Sequence, residues 1–150
     1  MTHHSRLRIV HNVANGPLVD AYLNGKNVLR EVGYKKISNY LEVPSGSHIV
    51  TVTISGTNKI IITGEIVVEP NIPYTLIVHG LISDPKTIAP LFVEDSLECP
   101  AHGKAHIRFI HAAAGAPAVD IYGGSNKVFS HVSYGQVGDP SYLPVAAGKI

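Results

Sequence analysis

Histidine and aspartate recur together in this chain. His11 is followed by Asp20, and His111 by Asp120, at one spacing. An imidazole and a carboxylate within reach of each other could act as an acid–base pair or share a metal ion. A second group, Cys99-x-x-His102-x-x-x-His106, has spacing compatible with zinc ligands. His3 and His4 could join it if the chain folds the N-terminus nearby. Tyrosines recur as well: Tyr22, Tyr34 and Tyr40 against Tyr122, Tyr134 and Tyr142. Exposed in a row, they would make an aromatic platform for a sugar.

Each group also has a plainer reading. His11 and Asp20 flank one turn between adjacent strands, as do His111 and Asp120, and can close it by hydrogen bonds to backbone or to each other. A structural role fits these pairs better than a site. Cys99, His102 and His106 supply three donors where a structural zinc takes four, and they lie across a connector that reads as solvent-exposed. Tyrosines at repeated strand positions read as core or hairpin-corner residues. No Ser sits in a Gly-x-Ser-x-Gly elbow, and Cys99, the one cysteine, has no context that would activate it. Gly115, Gly123-Gly124 and Gly135 open no helix, so they make no phosphate cradle. The chain therefore reads as non-enzymatic and implies no cofactor.

The recurring residues belong to a longer repeat. LRIVHNVANGPLVDAY from Leu7 aligns with IRFIHAAAGAPAVDIY from Ile107, an offset of 100 residues held without a gap to Ile37/Val137. Identities include Arg8/Arg108, His11/His111, Pro17/Pro117, Asp20/Asp120, Tyr22/Tyr122 and Tyr34/Tyr134. A two-residue insertion then matches Tyr40-Leu41 to Tyr142-Leu143 and Gly46 to Gly148. Unit 1 continues from Ser47 to about Glu94, and the second unit has no counterpart of that half.

Short strands position these residues. Leu7–His11, Val19–Leu23, Val28–Val32, Tyr40–Val43, His48–Ile54, Lys59–Val68, Tyr74–His79 and Ile88–Val93 are β-rich runs separated by turn residues. Asn24-Gly25 is a hairpin signal. Gly64 predicts a bulge or bend, and Pro90 a break. No helical period holds, so the fold class expected is an all-β sandwich, as a tandem repeat with an incomplete second unit. The expected domains are a complete sandwich over 1–96, a linker over 97–104 and a half-length β unit over 105–150.

Composition narrows the partners. Apolar residues make up 45% of the 150, enough for a core, while charged residues make up only 15%. The net charge of +1 offers no footprint for nucleic acid. So neutral a chain repels itself weakly, which favours association with its own copies. No apolar run is long enough for a membrane span, and the opening MTHHSRLRIVH lacks a signal peptide's apolar core.

The segment IRFIHAAAGAPAVDIY, with Val132-Ser133-Tyr134-Gly135 and the later Pro73-Tyr74-Thr75-Leu76-Ile77-Val78, resembles the family catalogued as domain of unknown function 4397. Gly33-Tyr34-Lys35 departs from that family's Tyr-Gly step. The resemblance implies an immunoglobulin- or transthyretin-like sandwich, often in tandem on exported or cell-surface proteins, with no catalytic residues to carry over. It thus implies an extracellular or surface location.

A half-length unit leaves an apolar face open and strand edges unpaired. It could be part of a longer protein, pack on unit 1, or take strands from another molecule. The expected function is a structural or adhesive protein that self-associates in an extracellular or particle-surface assembly, with copies of itself as partner and a filament as one outcome. The alternative is a binding module for a small ligand, a carbohydrate or a metal.

Overall fold

The computed structural model describes residues 3–96 and 98–146. Its described residues form twelve strands and no helix, the all-β class expected. Two compact units divide the chain, Met1–Asp95 and Ser96–Ile150.

Unit 1 contains β1 (His4–Ala14), β2 (Val19–Leu23), β3 (Lys26–Val32), β4 (Leu41–Pro44), β5 (Gly46–Ile54), β6 (Ile60–Val68), β7 (Pro73–Leu81) and β8 (Asp84–Glu94). They form two four-stranded sheets, ordered β4-β1-β7-β8 and β3-β2-β5-β6. All pairings are antiparallel except β1 with β7, which runs parallel from Arg6↔Pro73 to Ala14↔Leu81. Period-two alternation explains the sandwich. Leu7, Ile9 and Val13 on β1, Val50 and Val52 on β5, and Leu76 and Val78 on β7 meet in one apolar core. Burying a side chain of this kind contributes roughly 1.5–3 kcal/mol. β7 is buried from Pro73 to Gly80, as a central strand covered on both faces must be.

Turn chemistry follows the sequence. Asn24 and Gly25 both take positive φ, 53° and 83°, and close the β2–β3 hairpin. Two expectations change. Gly64 is not a bulge; the β5–β6 register instead slips between Val52 and Thr53, opposite Ile62 and Ile60. Pro90 does not break its strand, because β8 is an edge strand, where a missing N–H is tolerated.

Unit 2 contains β9 (Lys104–Ile107), β10 (Val119–Gly123), β11 (Asn126–Val132) and β12 (Leu143–Ala146). β9 pairs with β12 and β10 with β11, in two separate ladders. Lys104, assigned to the linker by sequence, already belongs to β9. Gly148 lies outside the described residues. Phe129 and Val132 are the buried apolar side chains of this unit. Gly138 makes room for Phe129: a Cβ at 138 would stand 2.6 Å from the Phe129 ring.

Candidate functional site

The repeated histidines are buried at the end of a turn. His11 Nε2 donates to the Pro17 carbonyl at 2.8 Å, and Nδ1 accepts the Val13 N–H at 3.3 Å. His111 does the same with Pro117 at 2.9 Å and Ala113 at 3.3 Å. Both ring nitrogens are thereby committed to backbone, which leaves no free lone pair for a metal or a substrate proton. Tyr34 packs on the His11 ring and Tyr134 on the His111 ring, each with centroids 6.0 Å apart. Burial pushes the Tyr134 hydroxyl pKa up.

The aspartates do different work from the histidines. β1 and β2 lie in different sheets, so the turn that His11 closes is a crossover between layers. Asp20 turns the other way, into the β2–β3 hairpin. Its Oδ1 accepts the Glu31 N–H at 2.9 Å and the Ser55 hydroxyl at 2.6 Å. Glu31 sits at a φ of 54°, within the irregular stretch of that hairpin. Asp120 accepts the His131 N–H at 2.7 Å, and His131 likewise has a φ of 49°. The aspartate thus anchors a residue held in the left-handed region, which costs a non-glycine side chain free energy. The Ser55 hydroxyl and the Glu31 N–H hold the Asp20 carboxyl below the usual carboxylate range. For Asp120 the His131 N–H does so first, and Lys127, 3.2 Å away, adds to it.

Around Asp20 lies an open groove of about 760 Å³, lined in part by Leu18, Asp20, Tyr22, Asn27, Arg30 and Ser55. It is lined by one aromatic ring, the carboxylates of Asp20 and Glu31, the Arg30 guanidinium and an Asn27 amide whose Nδ2 already donates to the Ala21 and Leu29 carbonyls.

The six recurring tyrosines are half-buried or exposed, with Tyr122 at 57% exposure, so a core role does not hold for them. The buried ring is Tyr74, stacked on Phe92 at 4.7 Å. Tyr40 and Tyr142 instead lie under arginines: Arg8 stands 4.8 Å from the Tyr40 centroid and Arg108 4.8 Å from that of Tyr142.

Sequence reasoning missed the network that extends from Arg8. Its Nε donates to Thr75 Oγ1 at 2.8 Å, and the Thr75 and Tyr40 hydroxyls each donate to Asp95 Oδ2 at 2.6 Å. Asp95 is buried, with Arg8 Nε 3.6 Å from its carboxylate. The paired Arg8/Arg108 and Tyr40/Tyr142 were the visible half of that signal. Thr75 and Asp95 lie in the half without a repeat partner.

The zinc-spaced group does not assemble. Cys99 and His102 are exposed, and the His106 ring lies 6.4 Å from Tyr142. Among the described residues, no three His, Cys, Asp or Glu side chains converge as metal ligands. No described helix is long and apolar enough to cross a membrane.

Two sheets facing one core, with functional-looking polar residues turned to backbone, define an all-β sandwich class. The chain belongs to the family described as Domain of unknown function (DUF4397), which it matches over residues 5–122 and 106–150. No curated protein matches it.

Proposed function

We propose that this chain is a non-enzymatic building block, made of two copies of one β unit, that assembles with its own copies at an extracellular or particle surface. One observation carries the reading. β9 and β10 of unit 2 stand where β1 and β2 stand in unit 1, yet each has a described partner strand on one side only. Ile107, Phe109, Val119 and Ile121 are half-buried, whereas the corresponding Leu7, Ile9, Val19 and Ala21 are buried. A strand lent by a neighbour would satisfy those edges and cover those side chains. A head-to-tail contact of that kind builds a filament when its rotation does not close. The recurrent His11, His111, Asp20 and Asp120 contacts go largely to backbone, which supports a scaffold role for them. Light scattering at micromolar concentration tests the reading. The expected result is a mass well above one chain; a steady 16.0-kDa species would overturn it.

The Asp20 groove favours a second reading, a binding module for a small polar ligand or carbohydrate. A glycan screen with the Tyr22→Ala variant as control tests it: binding lost in that variant supports the groove, and no binding in either protein removes it.

A further inference from the structure

Unit 1 has four edge strands, and three of them are blunted against pairing. β4 is four residues long and ends in Pro44. β3 carries Lys26, Arg30 and Glu31 and is irregular in register. β8 contains Pro85 and Pro90 and slips register between His79 and Leu81. These are the devices by which sheets avoid edge-to-edge association.

β6 has almost none of them. It is nine residues long, IIITGEIVV, with no proline and one charge, Glu65. Its ladder to β5 is regular from Gly46↔Val68 to Val52↔Ile62. Ile60 and Val67 are 56% and 58% exposed. The strand is also self-complementary about Gly64. Turned end to end, it sets Thr63 against Glu65, Ile62 against Ile66, Ile61 against Val67 and Ile60 against Val68.

Gly64 faces the core side, opposite buried Val50. Without a side chain there, an apolar cleft of about 320 Å³ opens, lined by Val50, Ile62, Ile66, Leu76, Pro90 and Phe92. We propose that β6 is a self-docking edge: two copies of the chain pair their β6 strands antiparallel, with Gly64 at the two-fold axis. The sheets β3-β2-β5-β6 then join into one continuous sheet, and Ile62 and Ile66 of each copy flank the partner's cleft. The register slip lies beyond Ile62, so Ile62–Ile66 pairs without irregularity. Such a contact is isologous and closes as a dimer.

This inference rests on the self-association reading but uses an edge of unit 1, so the two can fail separately. Gly64→Cys on a Cys99→Ser background places one thiol at the axis; nothing lies within 4 Å of a Cβ at 64. Thr57→Cys, on the exposed β5–β6 turn, is the control. Mild oxidation of the full-length chain is expected to cross-link the Gly64→Cys protein into a covalent dimer and leave the control unlinked. Thr63→Glu sets like charges opposite each other twice, which should weaken the dimer roughly tenfold in light scattering. Adding Glu65→Lys restores opposite charges and should restore the dimer. Association with no Gly64→Cys cross-link and no response to Thr63→Glu would overturn the β6 edge and leave self-association standing. A monomer in every sample would overturn both.

Discussion

β1 to β4 of unit 1 and β9 to β12 of unit 2 carry the same local chemistry in different surroundings. The His–Pro turn, the Asp-anchored left-handed residue and the Arg–Tyr stack agree between them within a few tenths of an ångström. What differs is the covering. β1 lies between β4 and β7, and β2 between β3 and β5, whereas β9 and β10 each have one described neighbour. Local hydrogen bonds therefore form without a complete sandwich, while side-chain burial in unit 2 narrows to His111, Phe129 and Val132 and leaves the β9 and β10 side chains half covered or exposed. Unit 2 answers in part with a larger side chain: Phe129 stands where unit 1 has Leu29, and Gly138 replaces Ser38 to admit it.

The most forceful way to break this comparison is truncation at matched core positions. Leu7→Ala removes a side chain only 1% exposed and should cost about 2–5 kcal/mol. Ile107→Ala acts at a half-buried position and should cost about 1 kcal/mol. Residue-resolved native-state amide exchange reads the two units separately; equal costs would mean that the strands of unit 2 are as well covered as those of unit 1.

Substitution at the histidines should show the opposite, near equality. His11→Ala and His111→Ala each remove a buried ring and the partners of one carbonyl and one N–H in a part-buried turn, for about 1 kcal/mol or more apiece. Denaturant titration of the two variants measures it. A large inequality would show that the turn draws its stability from the surrounding sandwich.

A smaller effect separates β7, which unit 2 lacks among its described residues. Burial holds the His79 imidazole below its ordinary value, so the folded state binds fewer protons than the unfolded one in the acid range. That stabilisation is complete above the ordinary histidine pKa of about 6.5 and is lost as pH falls below it. Unit 1 should therefore lose amide protection as pH falls below about 6.5. His79→Asn should flatten that slope.

The smallest expected effect is at the repeated aspartates, half-buried Asp20 and exposed Asp120. Both are held below the usual carboxylate range, so their stabilising contribution is present above that range and fades as pH falls through it. Asp20→Asn should move the acid midpoint of unit 1 more than Asp120→Asn moves that of unit 2, because Asp20 also holds Ser55. Circular dichroism against pH compares them.

Much of this was legible before any coordinates. Alternation at His48–Ile54 specified two faces, of which His48, Val50 and Val52 are buried, and Asn24-Gly25 specified a hairpin. The His turn was visible because its partners lie within six residues of it. The Asp partnership was only half visible. Its acceptor role could be read, but its target, eleven residues away across a hairpin, depended on strand register. Of the two places expected for the tyrosines, core or hairpin corner, the core does not hold, because aromatic character in a strand does not reveal which face it occupies; Tyr40 and Tyr142 lie under arginines instead. The bulge expected at Gly64 is absent because a missing side chain in a strand fits a bulge, a bend and an open cleft equally well.

By itself, then, the sequence determined most of the strands, their turns and the recurrent backbone contacts of His11 and His111. All of these rest on interactions between residues close in the chain. Only the tertiary structure decided that β1 runs parallel to β7, that Arg8, Tyr40, Thr75 and Asp95 meet, and that β6 is left as the unguarded edge. Those contacts join residues far apart in the chain, and burial of one apolar core selects among pairings that local preference leaves equal.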